Sequence, residues 1–221
     1  MAELHSTHVL KGAVFALLGF FIFSSGDALA KFLSATYSVP QLIFWAQIGA
    51  LVLLAAISTF KMRSAHIGLR DLVRTTTLRL HIIRGMVLGI QVFFTFYAFS
   101  QIPLAQAYTL IFCAPLFASL ISAVWLKEHV SIKDWITLLI GFSGILLILR
   151  PGFSDLDIQA LLPLLSALFS GVLFATGHVA GRLINRGDSP LTFGFYPAFF
   201  GLIFGFIYIL TSGESFLPAT H

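Results

Sequence analysis

The chain has 221 residues, 58% of them hydrophobic and only 10% charged, with a mean hydropathy of +0.96. A soluble domain carries about a quarter charged residues, so this composition excludes an ordinary soluble protein and implies an integral membrane protein. The formal net charge of +4 is no nucleic-acid footprint, because the basic residues gather between apolar runs; the single cysteine, Cys113, offers neither an internal disulfide nor a metal cluster.

Residues 1–11 are polar, and residues 12–33 form the first apolar run long enough to cross a bilayer as a helix. Lys11, this run and Ala28-Leu29-Ala30 together have the outline of a signal peptide. The weakly basic start, and a counterpart of the same segment later in the chain, argue against cleavage. Pro40 opens a second run to residue 60, at a position where a helix tolerates proline. Residues 61–80 are a polar hinge carrying Lys61, Arg63, Arg70, Arg74 and Arg79. A third run covers 82–100, and Gln101-Ile102-Pro103 makes a tight turn. The fourth run starts near Ala105, contains Pro115 and stops at Lys127, Glu128 and His129. Pro115 has no N–H for the carbonyl of Ile111, so the helix is expected to kink there, with that face buried in protein or lining a cavity. A short fifth run covers 135–149 and is stopped by Arg150-Pro151-Gly152. The sixth and seventh cover 158–184 and 191–210, and a polar tail follows.

Positive charge sets the expected orientation. With the N-terminus in the cytoplasm, Lys11, the group from Lys61 to Arg84, Lys127, Lys133, Arg182 and Arg186 all fall inside. Only Lys31 and Arg150 fall outside.

An internal repeat is also legible. Ser25-Gly26-Asp27-Ala28-Leu29-Ala30-Lys31-Phe32-Leu33 and Thr176-Gly177-His178-Val179-Ala180-Gly181-Arg182-Leu183-Ile184 share an order of hydroxyl, Gly, ionisable, apolar pair, small, basic and apolar pair. Pro40 and Pro190 then open the next helix in each. Chance similarity between two apolar helices is one reading; a duplicated five-helix unit, inserted upside down in its second copy, is the other.

Tyr108-Thr109, Ala114-Pro115-Leu116-Phe117 and Trp125-Leu126-Lys127-Glu128 resemble the fourth helix of EamA-type transporters of the drug/metabolite transporter superfamily. The approach from Ala98 to Ala107 and the glycine-bearing Ile140–Ile148 stretch resemble the flanking parts of that family. Lys127 departs from the pattern, which usually has Gly there. The resemblance implies ten helices in two inverted five-helix repeats. Here it gives residues 10–150 as the first repeat and 158–211 as two helices of the second. Seven spans against ten implies either a C-terminally truncated chain, the favoured reading, expected to transport poorly by itself, or a seven-helix form. The resemblance also places helices one to four around a central solute cavity, with Gln91, Tyr97 and Tyr108 as wall candidates.

Asp27 is the deepest acid, with Lys31 four residues on along the same helix face. The two read either as a structural ion pair, with Lys31 snorkelling to the interface, or as a solute or proton site. His178 and Arg182 repeat that spacing; a lone intramembrane histidine is either a helix-contact hydrogen-bonder or a ligand. Gln47, Gln106 and Thr109 are further neutral polar groups in the spans, and the Gly85/Gly89 and Gly201/Gly205 pairs mark close helix packing. Gly141-Phe142-Ser143-Gly144 and His178-Val179-Ala180-Gly181 resemble the serine and histidine motifs of rhomboid intramembrane proteases, which makes a Ser143–His178 dyad the enzyme alternative. Phe142 is bulky where that motif wants a small residue.

The reading is an all-α polytopic protein of the bacterial inner membrane with seven transmembrane helices. It moves a small organic solute by alternating access, with a non-transporting fragment as a further alternative. Its partners are the solute and the lipid bilayer, with room for a homo-oligomer and no role for nucleic acid. No catalytic residue, cofactor or metal is expected. With the 61–80 loop cytoplasmic, Ala65→Cys in intact cells is expected to resist a membrane-impermeant thiol reagent. Ready labelling would reverse the orientation.

Overall fold

The computed structural model describes residues 2–65, 69–149, 158–184 and 187–217, and every regular element among them is helical. The helices are α1 (Ala2–Leu33), α2 (Val39–Ala65), α3 (Leu78–Gln101), α4 (Leu104–Ile111), α5 (Ala114–Trp125), α6 (Ile132–Leu149), α7 (Ile158–Gly181) and α8 (Pro190–Ser212), with a 3-10 turn at Leu69–Leu72 before α3. Six stretches are long and apolar enough to span a membrane, α4 and α5 counting together as Leu104–Trp125. The seventh helix of the expected set is the short α6. The stop at 150–152, Arg186, and the side chains of Lys11, Lys61 and Arg63 lie outside the described residues.

The fourth run does more than kink. It divides into two helices at Phe112 and Cys113, and Pro115 sits in the first turn of α5, where its missing N–H costs no helical bond. The carbonyls at the end of α4 abut α7, that of Leu110 also accepting from the Cys113 N–H at 3.1 Å. A Cβ on Gly171 would lie 3.2 Å from the carbonyl oxygen of Ile111 and 3.3 Å from that of Leu110. A Cβ there would crowd the broken end, so glycine eases this close approach of α7. The break therefore faces protein, as the absence of water in a bilayer requires.

The centre of the fold is α3, which packs along α7 on one side and α8 on the other, while α2 covers the opposite face of α8. Glycines set these distances. A Cβ on Gly89 would stand 2.9 Å from the backbone nitrogen of Gly201, and one on Gly85 would stand 3.0 Å from the backbone of Tyr196. A Cβ on Gly205 would meet the backbone of Phe44 on α2 at 3.3 Å. Both glycine pairs thus mark close helix contacts, tightest at Gly85 and Gly89, where a Cβ would come within 3.0 Å of α8. Helix α1 lies at the edge, touching chiefly α3, with Phe15, Phe20 and Phe21 each more than 70% exposed. Such a face is solvated by hydrocarbon, not water.

Arg84 corrects the sequence reading, which counted it among the loop cations. It is buried on α3, and its Nε donates to the carbonyl of Gly177 on α7 at 3.1 Å. One terminal nitrogen donates to the carbonyl of Phe193 on α8 at 2.9 Å, and the guanidinium carbon lies 5.2 Å from the Phe193 ring centroid. Phe193 is four residues before Pro197, which lies inside α8 and has no N–H to give it. Arg84 supplies the missing donor and ties three helices together. Arg84→Met is therefore expected to lower thermal stability in detergent. Pro197→Ala restores the backbone donor and should blunt that loss, a coupling of about 1 kcal/mol in a double-mutant cycle. Strictly additive losses would contradict this role.

Candidate functional site

Two polar constellations stand at opposite ends of the bundle. The first is at the end where α1 turns into α2. Asp27 is 7% exposed, and its carboxylate accepts a hydrogen bond from the Tyr108 hydroxyl on α4 at 2.5 Å. Lys31 turns away: its ammonium donates to the carbonyl of Ile102 at 3.2 Å, at the start of the α3–α4 turn. The expected Asp27–Lys31 ion pair is not formed. Spacing along one helix face brings two residues close, but Lys31 finds an unbonded carbonyl at the helix end while the acid finds a hydroxyl across the helix interface. Aromatic rings surround the pair. Tyr108 lies 5.4 Å from Phe112 and 5.5 Å from Phe99, which belongs to the buried cluster of Ala98, Phe99, Ile102, Ala107 and Ala167.

Beside this pair lies a cavity of about 470 Å³ between α1 and α2. Gly26 and Ala30, flanking Asp27 on α1, line it, as do Tyr37, Trp45 and Phe96. Leu217, beyond α8, is also on its lining.

The other sequence candidates lie apart from this cavity. Gln91 donates to Thr95 at 2.6 Å and to Ser170 on α7 at 2.9 Å, and the Thr95 and Ser170 hydroxyls are 2.5 Å apart. This is a hydroxyl–amide bridge between α3 and α7. Tyr97 is half-buried on α3. His178 is exposed, and its Nδ1 donates to the carbonyl of Phe174 in its own helix at 2.8 Å. Ser143 likewise donates to Leu139 one turn back at 2.8 Å. No hydrogen bond joins Ser143 to His178, so the expected alternative of a serine–histidine dyad is not assembled. Arg182, the counterpart of Lys31, pairs with Glu128 at 2.8 Å, half-exposed at the far end of the bundle.

At that far end is the second constellation, which sequence reasoning missed. Asp188, in the turn before α8, accepts from Thr75 at 2.6 Å, His81 Nε2 at 3.0 Å and Thr77 at 3.3 Å. His81 is fully buried on α3 between the rings of Phe193 and Tyr196, and its Nδ1 has no hydrogen-bond partner among the described residues. Thr192 and Tyr196 of α8 donate to the carbonyls of Asp71 and Val73 at 2.9 and 3.0 Å. The α2–α3 loop is thus bolted to the first turns of α8. The available signal was Thr75, Thr77 and His81 at two- and four-residue spacing; their partner, more than a hundred residues on, was not legible.

Comparison with known proteins agrees with this architecture. A family model described as the EamA-like transporter family matches residues 10–150. The chain is 30% identical over 195 residues to a riboflavin transporter of Vibrio cholerae, covering 86% of this chain and 61% of that protein. It is 32% identical over 187 residues to a pseudopaline exporter of Pseudomonas aeruginosa, covering 84% and 61%. An S-adenosylmethionine uptake transporter of Rickettsia prowazekii is 22% identical over 189 residues, covering 86% and 60%. The chain therefore spans about 61% of the length of the first two of these relatives.

The Asp188 cluster gives a pH prediction. The Thr75 hydroxyl, joined by His81 and Thr77, holds the Asp188 carboxyl below the usual carboxylate range against the opposing effect of burial. A carboxyl depressed in the folded state stabilises the fold above its unfolded pKa and loses that contribution as pH falls through the folded value. At neutral pH, Asp188→Asn is expected to melt earlier in detergent than the unaltered protein. The gap should close as the pH drops below about 4. A gap independent of pH would show that the carboxylate charge plays no part.

Proposed function

The chain belongs to the EamA-like transporter family, and from that footing we propose that it carries a small organic solute across the bacterial inner membrane by alternating access. The N-terminus is cytoplasmic in this reading, because Arg70, Arg74 and Lys127 of the described connections, and Lys133 in the first turn of α6, then lie inside. Residues 10–150 form the first five-helix repeat, and 158–211 begin a second, inverted one. The relatives named for riboflavin, pseudopaline and S-adenosylmethionine support a solute of that size class. The reading is of a carrier, not an enzyme.

The carrying observation is the buried Asp27–Tyr108 pair; neither side chain lines the α1–α2 cavity, but Gly26, next to Asp27 on α1, does. A buried carboxylate inside a span is costly and is kept where it meets a solute, a proton or a partner charge. Lys31 is spent on Ile102, so Asp27 has no cation fixed beside it and is held by a neutral hydroxyl that can both give and accept a proton. Asp27 is the proposed coupling group, and Tyr108 orients it. Gln91, Tyr97 and His178 do not line this cavity.

The test is counterflow of labelled riboflavin in proteoliposomes made with the protein as its gene encodes it. Saturable flux is expected, with Asp27→Asn reducing it about tenfold or more and abolishing its pH dependence, a loss equivalent to about 1.4 kcal/mol of barrier. Tyr108→Phe, which keeps the ring, should shift the pH profile and leave part of the flux. Saturable, pH-dependent flux unchanged in Asp27→Asn would remove Asp27 from the mechanism.

A further inference from the structure

Helix α8 ends in a turn that sends the chain back toward α2 and brings Leu217, 65% exposed, to the lining of the α1–α2 cavity. Gly213 caps the helix with φ +72°, a left-handed conformation that glycine adopts without strain. The next four residues cross the start of α2, and side chains of α2 and its approach hold them. The Ser38 hydroxyl donates to the Glu214 carboxylate at 2.5 Å. Gln41, itself buried, donates to the carbonyls of Ser215 and Leu217 at 2.6 and 3.2 Å. The indole N–H of Trp45 donates to the carbonyl of Phe216 at 2.9 Å. Ser215 donates to the carbonyl of Leu217, which curls the segment on itself. The Phe216 ring rests between Phe44 and Phe206 at 5.2 and 5.8 Å, on the α2–α8 side. Leu217 is left facing the cavity.

This arrangement suits a part that detaches. Its packing is confined to the Phe216 ring, between Phe44 and Phe206, and to Leu217. Here polar side chains at successive positions of one helix face, 38, 41 and 45, grip mostly backbone carbonyls, and water can replace each of those bonds. Behind the segment the cavity wall is hydrocarbon and aromatic ring, with Leu29, Leu33, Tyr37, Leu42 and Phe96 among its residues.

We propose that Glu214–Leu217 is a lid over this cavity, latched by Ser38, Gln41 and Trp45, and that the cavity takes the apolar or ring-bearing part of a solute. The lid rests on the transport reading given above, but its test reads accessibility and not flux, so either can fail alone. A reporter cysteine replaces Leu42, which is buried on the cavity wall. The native Cys113, buried at the α4–α5 break, serves as the control in the same molecule. Both are exposed to a charged methanethiosulfonate reagent in detergent, and modification at each site is followed by peptide mass. With the latch intact, Leu42→Cys should react slowly. Adding Ser38→Ala and Trp45→Phe, which keeps the ring and drops the N–H, should raise its rate about tenfold while Cys113 stays silent. Equal rates with and without the latch would overturn the proposal. So would parallel labelling of Cys113, since the latch residues would then be holding up the whole bundle and not a lid.

Discussion

A carbonyl without a donor is tolerable at a water-exposed loop and nearly intolerable inside a bilayer. This fold is arranged around that constraint at two prolines. At Pro115 the chain yields: the helix divides, the proline takes a first-turn position, and Gly171 lets α7 lie against the carbonyls of Leu110 and Ile111. At Pro197 the helix continues and a side chain from elsewhere fills the gap, with Arg84 donating to Phe193. Both solutions draw α7 toward α3 and α4, and the second also draws in α8. The packed centre of the bundle is where the backbone defects are repaired.

The hydropathy runs located the helices because length and apolarity are the main conditions for a span. Both glycine pairs were legible for a similar reason: a small residue every four positions has few uses other than letting backbones approach. Partner choice was another matter. Lys31 and Asp27 share a helix face, yet each bonds across the chain, to Ile102 and Tyr108, because a free carbonyl and a hydroxyl were nearer than the charge. Arg84 read as a loop cation from its place at the edge of a run, and only the α8 proline explains why it is inside. Lys127 stands where the resembled pattern has glycine; its φ of +52° shows the conformation that glycine would have served. In these cases the deciding contact lies far away in sequence or in backbone geometry.

Helix α8 is restrained at both of its ends by unlike means. At its start, charge-assisted bonds to the Asp188 carboxylate, and neutral bonds from the Thr192 and Tyr196 hydroxyls to backbone carbonyls, hold it to the α2–α3 loop. Just past its finish, the bonds run through a short curled segment to the first turns of α2. The first end is stiff and shielded; the second is thin and near the surface. A rocking motion of α8 therefore has a natural pivot at the Asp188 end.

The Arg84 clamp also has an electrical side. The guanidinium stays protonated, and its observed donors go to carbonyls, which carry no formal charge. A whole positive charge is thus carried by α3 within the span. Moving a unit charge across the full membrane field involves about 2.3 kcal/mol per 100 mV. Any step of a transport cycle that shifts α3 along the membrane normal would carry a share of that work. Its rate would then follow the membrane potential even when the cargo is neutral.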